Sequence, residues 1–419
     1  KDPELEPDTP PSTFKVRIDN VIHETYFDSY PQGPSLFVPY LVMSGLPEGE
    51  KLLAFGGYYS PENPNPDGSD YTFIHDCADD ELIQGWDWTQ ELIYSAGWID
   101  LPIPGKTYYF KGVVRTNKAV YYSNTVTINT DGLPGYTPGP QDRVLPVVFH
   151  VMPRKDGTYP HPYFFDEMLA CANRLYRNVW PLPGLADAGI RFVPATHAPD
   201  GTALSTPGIH YLDERYELDL DISNEELRQW VGDNLWEMTE VINVWVSPFI
   251  NDHIVSEDTS TAGFTFLPYF APEEMLQGCN TAVPGCFSGI FLNQEIVGNG
   301  YCNSGIAVFA HEAGHYLGLD HVFEEDWCDD TPQYDRARYR TEQYIPGIDT
   351  YLRYPIDASA EPYTALNVMD YDIVIYSGIT PQQAERVRYT LQHACLVPGG
   401  KPLPGNMKSC AGPAPKVMY

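Results

Sequence analysis

Short runs in which apolar and β-branched residues alternate with polar ones fill the first third of the chain: FKVRIDNV, SLFVPYLV, KLLAFGGYYS, TYYFKGVVRT and VYYSNTVTI. A period of two puts every second side chain on one face, and clusters of Gly, Pro, Asn and Asp between the runs supply turns. The pattern predicts an all-β sandwich of about immunoglobulin size over residues 14–130. Further on the texture becomes mixed α and β. RVLPVVFHVM, GIRFVPA and EVINVWVSPF read as buried strands, whereas FFDEMLACANRLYRNVW has helical spacing, with Phe165, Met168, Leu169, Ala172 and Leu175 on one face. TPQQAERVRYTLQ predicts another helix. Thr380 is its N-cap, Pro381 its first helical residue, Gln383 closes the capping box, and Ala384, Val387 and Leu391 form the buried stripe.

Glycine and proline crowd residues 131–142 and erase any apolar period, so this stretch reads as a linker. The division that follows is a Pro/acid-rich tether over 1–13, the β-sandwich over 14–130, the linker over 131–142, an α/β domain over 143–397 and a tail over 398–419. A chain of 419 residues also exceeds what one hydrophobic core usually holds. LPIPGKTYYFKGVVRTNKAVYYSNTVTI, within the first domain, resembles the last two strands of a fibronectin type III domain.

Charge narrows the partners. With 57 acidic against 25 basic side chains the formal net charge is -32, which excludes nucleic acid and disfavours anionic lipid. It suits a self-repelling chain, expected to be monomeric, that draws in cationic partners. No apolar run approaches the roughly 18–20 residues of a spanning helix. The sequence opens on Lys1 with no signal pattern, as expected of a processed, exported form that is extracellular or held at a cell surface. Eight cysteines are too dilute for a disulfide scaffold but suit a few bridges; Cys279 with Cys286 is the pairing favoured here.

The chemistry is concentrated in HEAGHYLGLDH, His311 to His321. Positions four apart share a helix face, so His311 and His315 can bring two imidazoles to one metal ion. Gly318 allows the chain to leave the helix through a left-handed turn and swing His321 round as a third ligand. Three neutral imidazoles with an open fourth position characterise catalytic rather than structural zinc. Glu312, next to the first ligand, is placed to take a proton from water and hand it to a leaving amine.

This pattern resembles the metzincin zinc signature, which also requires a downstream methionine turn, and NVMDY (Asn367 to Tyr371) supplies one. The flanking segments are similar to the pappalysin branch: VLPVVFHVM opening the domain, VINVWV before TAGFTFLP, DDTP after the zinc helix and ITPQQAERVR after the methionine turn. The likeness runs collinearly over about 143–396. The tether, sandwich and catalytic domain together are similar to bacterial metalloproteinase lipoproteins. The resemblance implies zinc on His311, His315 and His321, Glu312 as general base and acid, Met369 as a structural floor, and Tyr371 steadying the oxyanion. The fold class it implies is an N-terminal all-β sandwich, fibronectin III/Ig-like, plus a C-terminal α/β metzincin domain. The family's cysteines after the DTP segment and beside the methionine turn are missing, so its specificity loop is not carried over.

Several residues have plainer readings. Asp329 and Asp330 offer oxygen ligands suited to calcium, but solvated acidic loops are commoner and no complete EF-hand spacing is present. Cys77 could reach an open metal position and hold an enzyme latent; a half-cystine or buried thiol is the simpler reading. Histidines outside the motif, His150 and His210 among them, lack ligand spacing and are read as satisfied singly. Asp370 and Asp372, flanking Tyr371, are candidates by position for recognising a basic substrate residue. The expected function is zinc-dependent cleavage of internal peptide bonds. Two alternatives remain: a binding or adhesion protein with a vestigial zinc domain, and a hydrolase of non-protein amides such as cell-wall peptides.

Overall fold

The structure, a computed structural model, describes residues 13–25, 35–100, 102–133, 142–221, 223–250, 261–282, 285–297, 304–336, 344–345, 350–357, 359–364, 366–371, 377–401 and 416–417. Most of the tether and linker, Cys302, Cys410 and Asp372 lie outside these residues. The chain divides into two compact units, Lys1–Tyr26 with Pro34–Leu133 and Phe27–Gly33 with Pro134–Tyr419.

The first unit is all-β among its longer elements. One antiparallel sheet is built from β1 (Lys15–Thr25), β2 (Ser35–Ser44), β5 (Leu92–Ser95) and β6 (Ile99–Asp100). The other has the order β4 (Tyr71–Asp76), β3 (Leu52–Ser60), β7 (Thr107–Thr116) and β8 (Val120–Asn129). The five runs with clear alternation all lie in strands; the patterning did not reveal β4, β5 and β6, which are short and interrupted by polar residues. Where β1 slips register between Ile18 and Asn20, the Asn124 side chain takes over the pairing. Its Oδ1 accepts from the Ile18 amide at 2.9 Å and its Nδ2 donates to the Ile18 carbonyl at 3.2 Å. What these sheets define is an all-β unit, without features specific to the type III fold.

The second unit is organised on one sheet. β9 (Arg143–Val151) lies parallel to β10 (Ile190–Pro194) and to β11 (Ile209–Tyr211) on one side and to β12 (Ile242–Ser247) on the other. β12 pairs in parallel with β14 (Ile290–Asn293), and β13 (Gly263–Thr265) closes this side antiparallel to β14. The outer edge of β13 is met by β15 (Lys416–Val417), also antiparallel. β12 is buried at every position, as expected of a central parallel strand covered on both faces.

Period two sends Phe149 and His150 of β9 to opposite faces. Phe149 packs on Phe309 of a buried helix, ring centroids 5.6 Å apart. His150 begins an aromatic row through residues in register on four strands. It stacks on Trp245 at 5.2 Å, Trp245 on Phe291 at 4.9 Å, and Phe291 on Phe264 at 4.6 Å. Cross-strand pairs of this kind fix register, because a one-residue slip would send every ring to the other face.

His150 is not satisfied singly, as the sequence reading had it. Its Nδ1 lies 2.9 Å from His210 Nδ1 and its Nε2 lies 3.0 Å from Asn243 Oδ1. Asn243 is oriented by the Trp236 backbone, whose amide donates to Oδ1 and whose carbonyl accepts from Nδ2. His150 Nε2 must therefore donate, and its Nδ1 accepts from His210. Burial, with the neighbouring His210 adding to it, lowers the His150 pKa to about 3, while Asn243 opposes the shift. His210, half-buried, is also shifted down by burial, against the pull of Asp213. In the unfolded chain His150 titrates near 6.5, so below that pH the unfolded state binds a proton that the folded state refuses. This contribution to stability is complete above about pH 6.5 and is lost as pH falls towards 3, at up to about 1.4 kcal/mol per pH unit. Denaturant unfolding of the wild type and His150→Gln at pH 7.0 and 4.5 should show a smaller loss on acidification in the variant. An equal loss in both would remove His150 as its source.

Candidate metal centre

The helix that carries the motif, Ser304–Tyr316, is buried on all sides, from Ala307 and Phe309 to His311, Glu312 and His315. It docks on the helix Pro162–Arg177, whose Tyr176 hydroxyl donates to the Ala310 carbonyl at 2.9 Å. Phe165, Met168, Leu169, Ala172 and Leu175 of that helix are all buried, on the face read from the sequence. Gly318 has φ +90° and turns the chain out of the motif helix. A Cβ there would lie 2.5 Å from Thr390 Oγ1 on the helix Pro381–His393, so the position requires glycine by conformation and by space. Arg386, on that last helix, donates to the Gly318 carbonyl through Nη2 at 2.9 Å and holds the turn.

The result is a convergence of three imidazoles. His311 Nε2 lies 3.3 Å from His321 Nε2, and His315 Nε2 lies 3.1 Å from the same atom. Each outer nitrogen is tied back. His311 Nδ1 donates to the Val368 carbonyl at 2.7 Å, His315 Nδ1 to the Leu319 carbonyl at 2.9 Å, and His321 Nδ1 to Glu324 Oε2 at 3.3 Å. These partners fix the Nδ1–H tautomer, so three Nε2 lone pairs face one another. Burial, and then the neighbouring His321, lowers the His311 pKa to about 3 and keeps that ring neutral.

This donor set fits zinc. Three nitrogens at the usual Zn–N distance of about 2.0–2.1 Å would span tetrahedral edges of roughly 3.3–3.4 Å, close to the separations present. Glu312 adds a second sign. It is fully buried, and neither carboxylate oxygen has a hydrogen-bond partner among the described residues. Burial pushes its pKa up to about 8, against the nearby Thr265 hydroxyl, which lies close without forming a hydrogen bond of ordinary geometry. A divalent cation at the imidazoles would favour the ionised form. Gly263 of β13 makes room for this carboxylate, since a Cβ there would come within 3.0 Å of Glu312 Cγ.

Met369 is buried against the motif helix, and a Cβ on Gly314 would fall 2.2 Å from its Sδ. Its turn is shaped by Asn367, whose Oδ1 accepts from the Met369 amide at 2.9 Å and whose Nδ2 donates to Gln383 Oε1 at 2.8 Å. Gln383 in turn accepts from the Thr380 amide, which completes the predicted capping box. Tyr371 stands beside the centre, its ring centroid 4.7 Å from that of His321 and 4.6 Å from Phe323.

Several expectations change. Asp370 is wholly buried rather than open to a substrate. Its Oδ2 pairs with Arg353 Nη2 at 3.0 Å, and its Oδ1 accepts from the Tyr334 hydroxyl at 2.7 Å and the Tyr371 amide at 2.8 Å. Asp330 accepts from Thr380 Oγ1 at 2.7 Å and the Gln382 amide at 2.9 Å, so its carboxylate serves the start of the last helix. Among the described residues, neither Asp329 nor Asp330 belongs to a group that converges on a metal position. Cys279 is outside any disulfide, so the favoured bridge to Cys286 is not formed. Cys77 is a buried thiol, pushed up to about 11 by burial and then by Asp76 and Asp80, which leaves little thiolate. Sequence reasoning did not find Gly263, Glu324, Arg353 or Arg336. None falls within the motif, and their partners are apparent only once the chain is folded.

Residues 225–392 match the family model Peptidase_M43, described as Pregnancy-associated plasma protein-A. The class defined by this match is a metallopeptidase. The match supports a pappalysin-type metzincin domain over this stretch, which holds the three histidines and Met369. No curated protein matches the chain. Among solved structures, mirolysin in complex with compound 9 is 19% identical with a TM-score of 0.43, covering 60% of this chain and 92% of that one. Tannerella forsythia mature mirolysin in complex with a cleaved peptide is 19% identical with a TM-score of 0.41, over 61% and 93%. A DUF3823 family protein from Bacteroides ovatus is 14% identical with a TM-score of 0.20, over 28% and 56%. Likenesses of this size add nothing to the reading of the site.

Breaking a buried ion pair on one side leaves a charge uncompensated, at a cost of about 3–5 kcal/mol. Asp370→Ala should therefore destabilise the second unit by about that amount in denaturant unfolding at pH 7. A loss below about 1 kcal/mol would mean that Arg353 finds another partner.

Proposed function

We propose that this chain is a zinc-dependent endopeptidase that cleaves internal bonds of extended, exported or extracellular polypeptides. The observation that carries the reading is the orphaned Glu312 carboxylate beside three convergent Nε2 atoms. His311, His315 and His321 would hold the ion. When bound, zinc supplies Lewis acidity towards a carbonyl oxygen and makes water a competent nucleophile near neutral pH.

The chain's own residues do the rest. Glu312 takes the proton of the attacking water on a carboxylate oxygen and passes it to the nitrogen of the leaving amine. Its buried, unpartnered position leaves both oxygens available for this relay. Tyr371, packed on His321 and Phe323, directs its phenol to steady the developing oxyanion. Met369 holds the floor. The substrate backbone adds to β13, where Lys416 and Val417 now pair antiparallel with Thr265 and Phe264. An extended peptide would take the place of those two residues, next to the strand whose Gly263 borders Glu312.

No helix among the described residues is long and apolar enough to cross a membrane.

Two measurements test the centre. Elemental analysis should find one zinc per chain, lost in His315→Ala. Glu312→Ala should retain the metal while peptide turnover falls by several orders of magnitude. Zinc absent from the wild type, or near-normal turnover without Glu312, would end this reading. Glu324 gives a further check, because a carboxylate on the outer nitrogen of a ligand histidine orients it and raises its basicity. Glu324→Ala should weaken zinc binding by roughly 10–100-fold in a chelator competition, with Glu324→Gln in between. Unchanged affinity in both would show that His321 is held by its packing alone.

A further inference from the structure

Beside the metal centre lies a cavity of about 900 Å3, with Phe323, Tyr334, Tyr354, Arg336 and the rim residues Asp335 and Glu361 among its lining. Phe323 joins it to the centre, stacked on the His321 ring at 4.9 Å and packed edge-on to Tyr371. Among the described lining residues, Arg336 is the cation of this wall. Its guanidinium carbon lies 3.8 Å from the Tyr371 ring centroid and 4.9 Å from that of Phe323. Among the described residues it has no hydrogen bond or ion pair, although the chain carries 57 acidic side chains.

An arginine held by aromatic faces keeps its N–H edge for another partner, and that planar fork matches a carboxylate. Asp335 and Glu361 are both exposed at the rim, where water screens them. Arg336 is partly buried and touches the ring proposed to face the reacting carbonyl. We propose that Arg336 and its cavity form a subsite that binds a carboxylate of the substrate, carried by an acidic side chain or by the chain terminus. The inference rests on the endopeptidase reading and gives it a specificity. It runs against the basic preference expected from net charge alone.

The test uses the zinc-loaded full chain and quenched peptides in which Glu, Gln or Lys is walked through each position on both sides of the cut, all C-terminally amidated. A parallel set of Gln peptides carries a free terminal carboxylate at varied distances. At one position the wild type should favour the carboxylate over its neutral match by roughly tenfold or more in kcat/KM. The preference should persist at 1 M salt, because contact pairs escape screening. Arg336→Gln should bring the ratio close to one, Arg336→Lys should keep part of it, and Glu361→Gln should leave it intact or larger. Preference for Glu in amidated peptides assigns a side chain; preference for the free terminus assigns a chain end.

Equal rates for all peptides in the wild type would overturn the proposal. So would an Arg336→Gln variant that slows every peptide alike and leaves the ratios unchanged, since that is the result of a purely packing role. If no peptide is cut, the endopeptidase reading fails by itself. Fluorescence anisotropy of labelled Glu and Gln peptides against the wild type and Arg336→Gln then decides the subsite separately. Tighter binding of Glu that depends on Arg336 sustains it, and equal binding removes it.

Discussion

The metal centre depends on the close approach of the motif helix to the methionine turn, across 57 residues of sequence between His311 and Val368. Gly314 lets the helix settle on Met369, and the Val368 carbonyl then receives the His311 Nδ1 proton. A side chain at Gly314 would push these elements apart and release the hydrogen bond that fixes the His311 tautomer. Packing and tautomer are thus set by one contact. The same turn returns a backbone bond from the Val322 amide to the Met369 carbonyl at 3.3 Å, which places the segment just after His321. Two of the three imidazoles are therefore indexed to one short loop.

That loop is held from below by charge. Arg353 and Asp370 are both fully buried, and the pair reaches Tyr334 and the Tyr371 amide. In a dry setting such a pair adds little net stability over apolar packing. We read it as a device for uniqueness: it fixes where the backbone of Tyr371 begins and so how its ring meets His321 and Phe323. The last helix works in the same direction, since Asp330, Asn367 and Gln383 join its first turn to the turn containing Met369.

Most of this centre was legible in eleven residues, because HExxHxxGxxH encodes its geometry locally: a helical face, one left-handed glycine and a returning ligand. The long strands and the two main helices were legible for the same reason, their period being a local property. The rest came from contacts between distant segments. Asp370 looks like a surface acid beside a tyrosine until Arg353 is seen against it. Two cysteines seven positions apart looked bridgeable, yet Cys279 carries no disulfide. His150 gave no ligand spacing and so seemed solitary, but its partner His210 comes from a strand running along the same edge of β9.

If the chain is the endopeptidase proposed above, two opposing electrostatic influences act on its substrate at different ranges. The summed charge of -32 attracts cationic chains from a distance, but at 0.1 M salt that field fades within a Debye length of about 10 Å. Arg336 acts only on contact, stacked on Tyr371 in a partly buried wall where screening is weak. On the proposed endopeptidase reading, steering would govern which polypeptides approach, and the proposed Arg336 subsite would govern which position along them settles beside the metal centre. A basic polypeptide with a single carboxylate near the scissile bond would satisfy both influences. An acidic one satisfies only the second and arrives more slowly. Raising the salt concentration removes the first influence and leaves the second, so the two can be separated in one enzyme without any substitution.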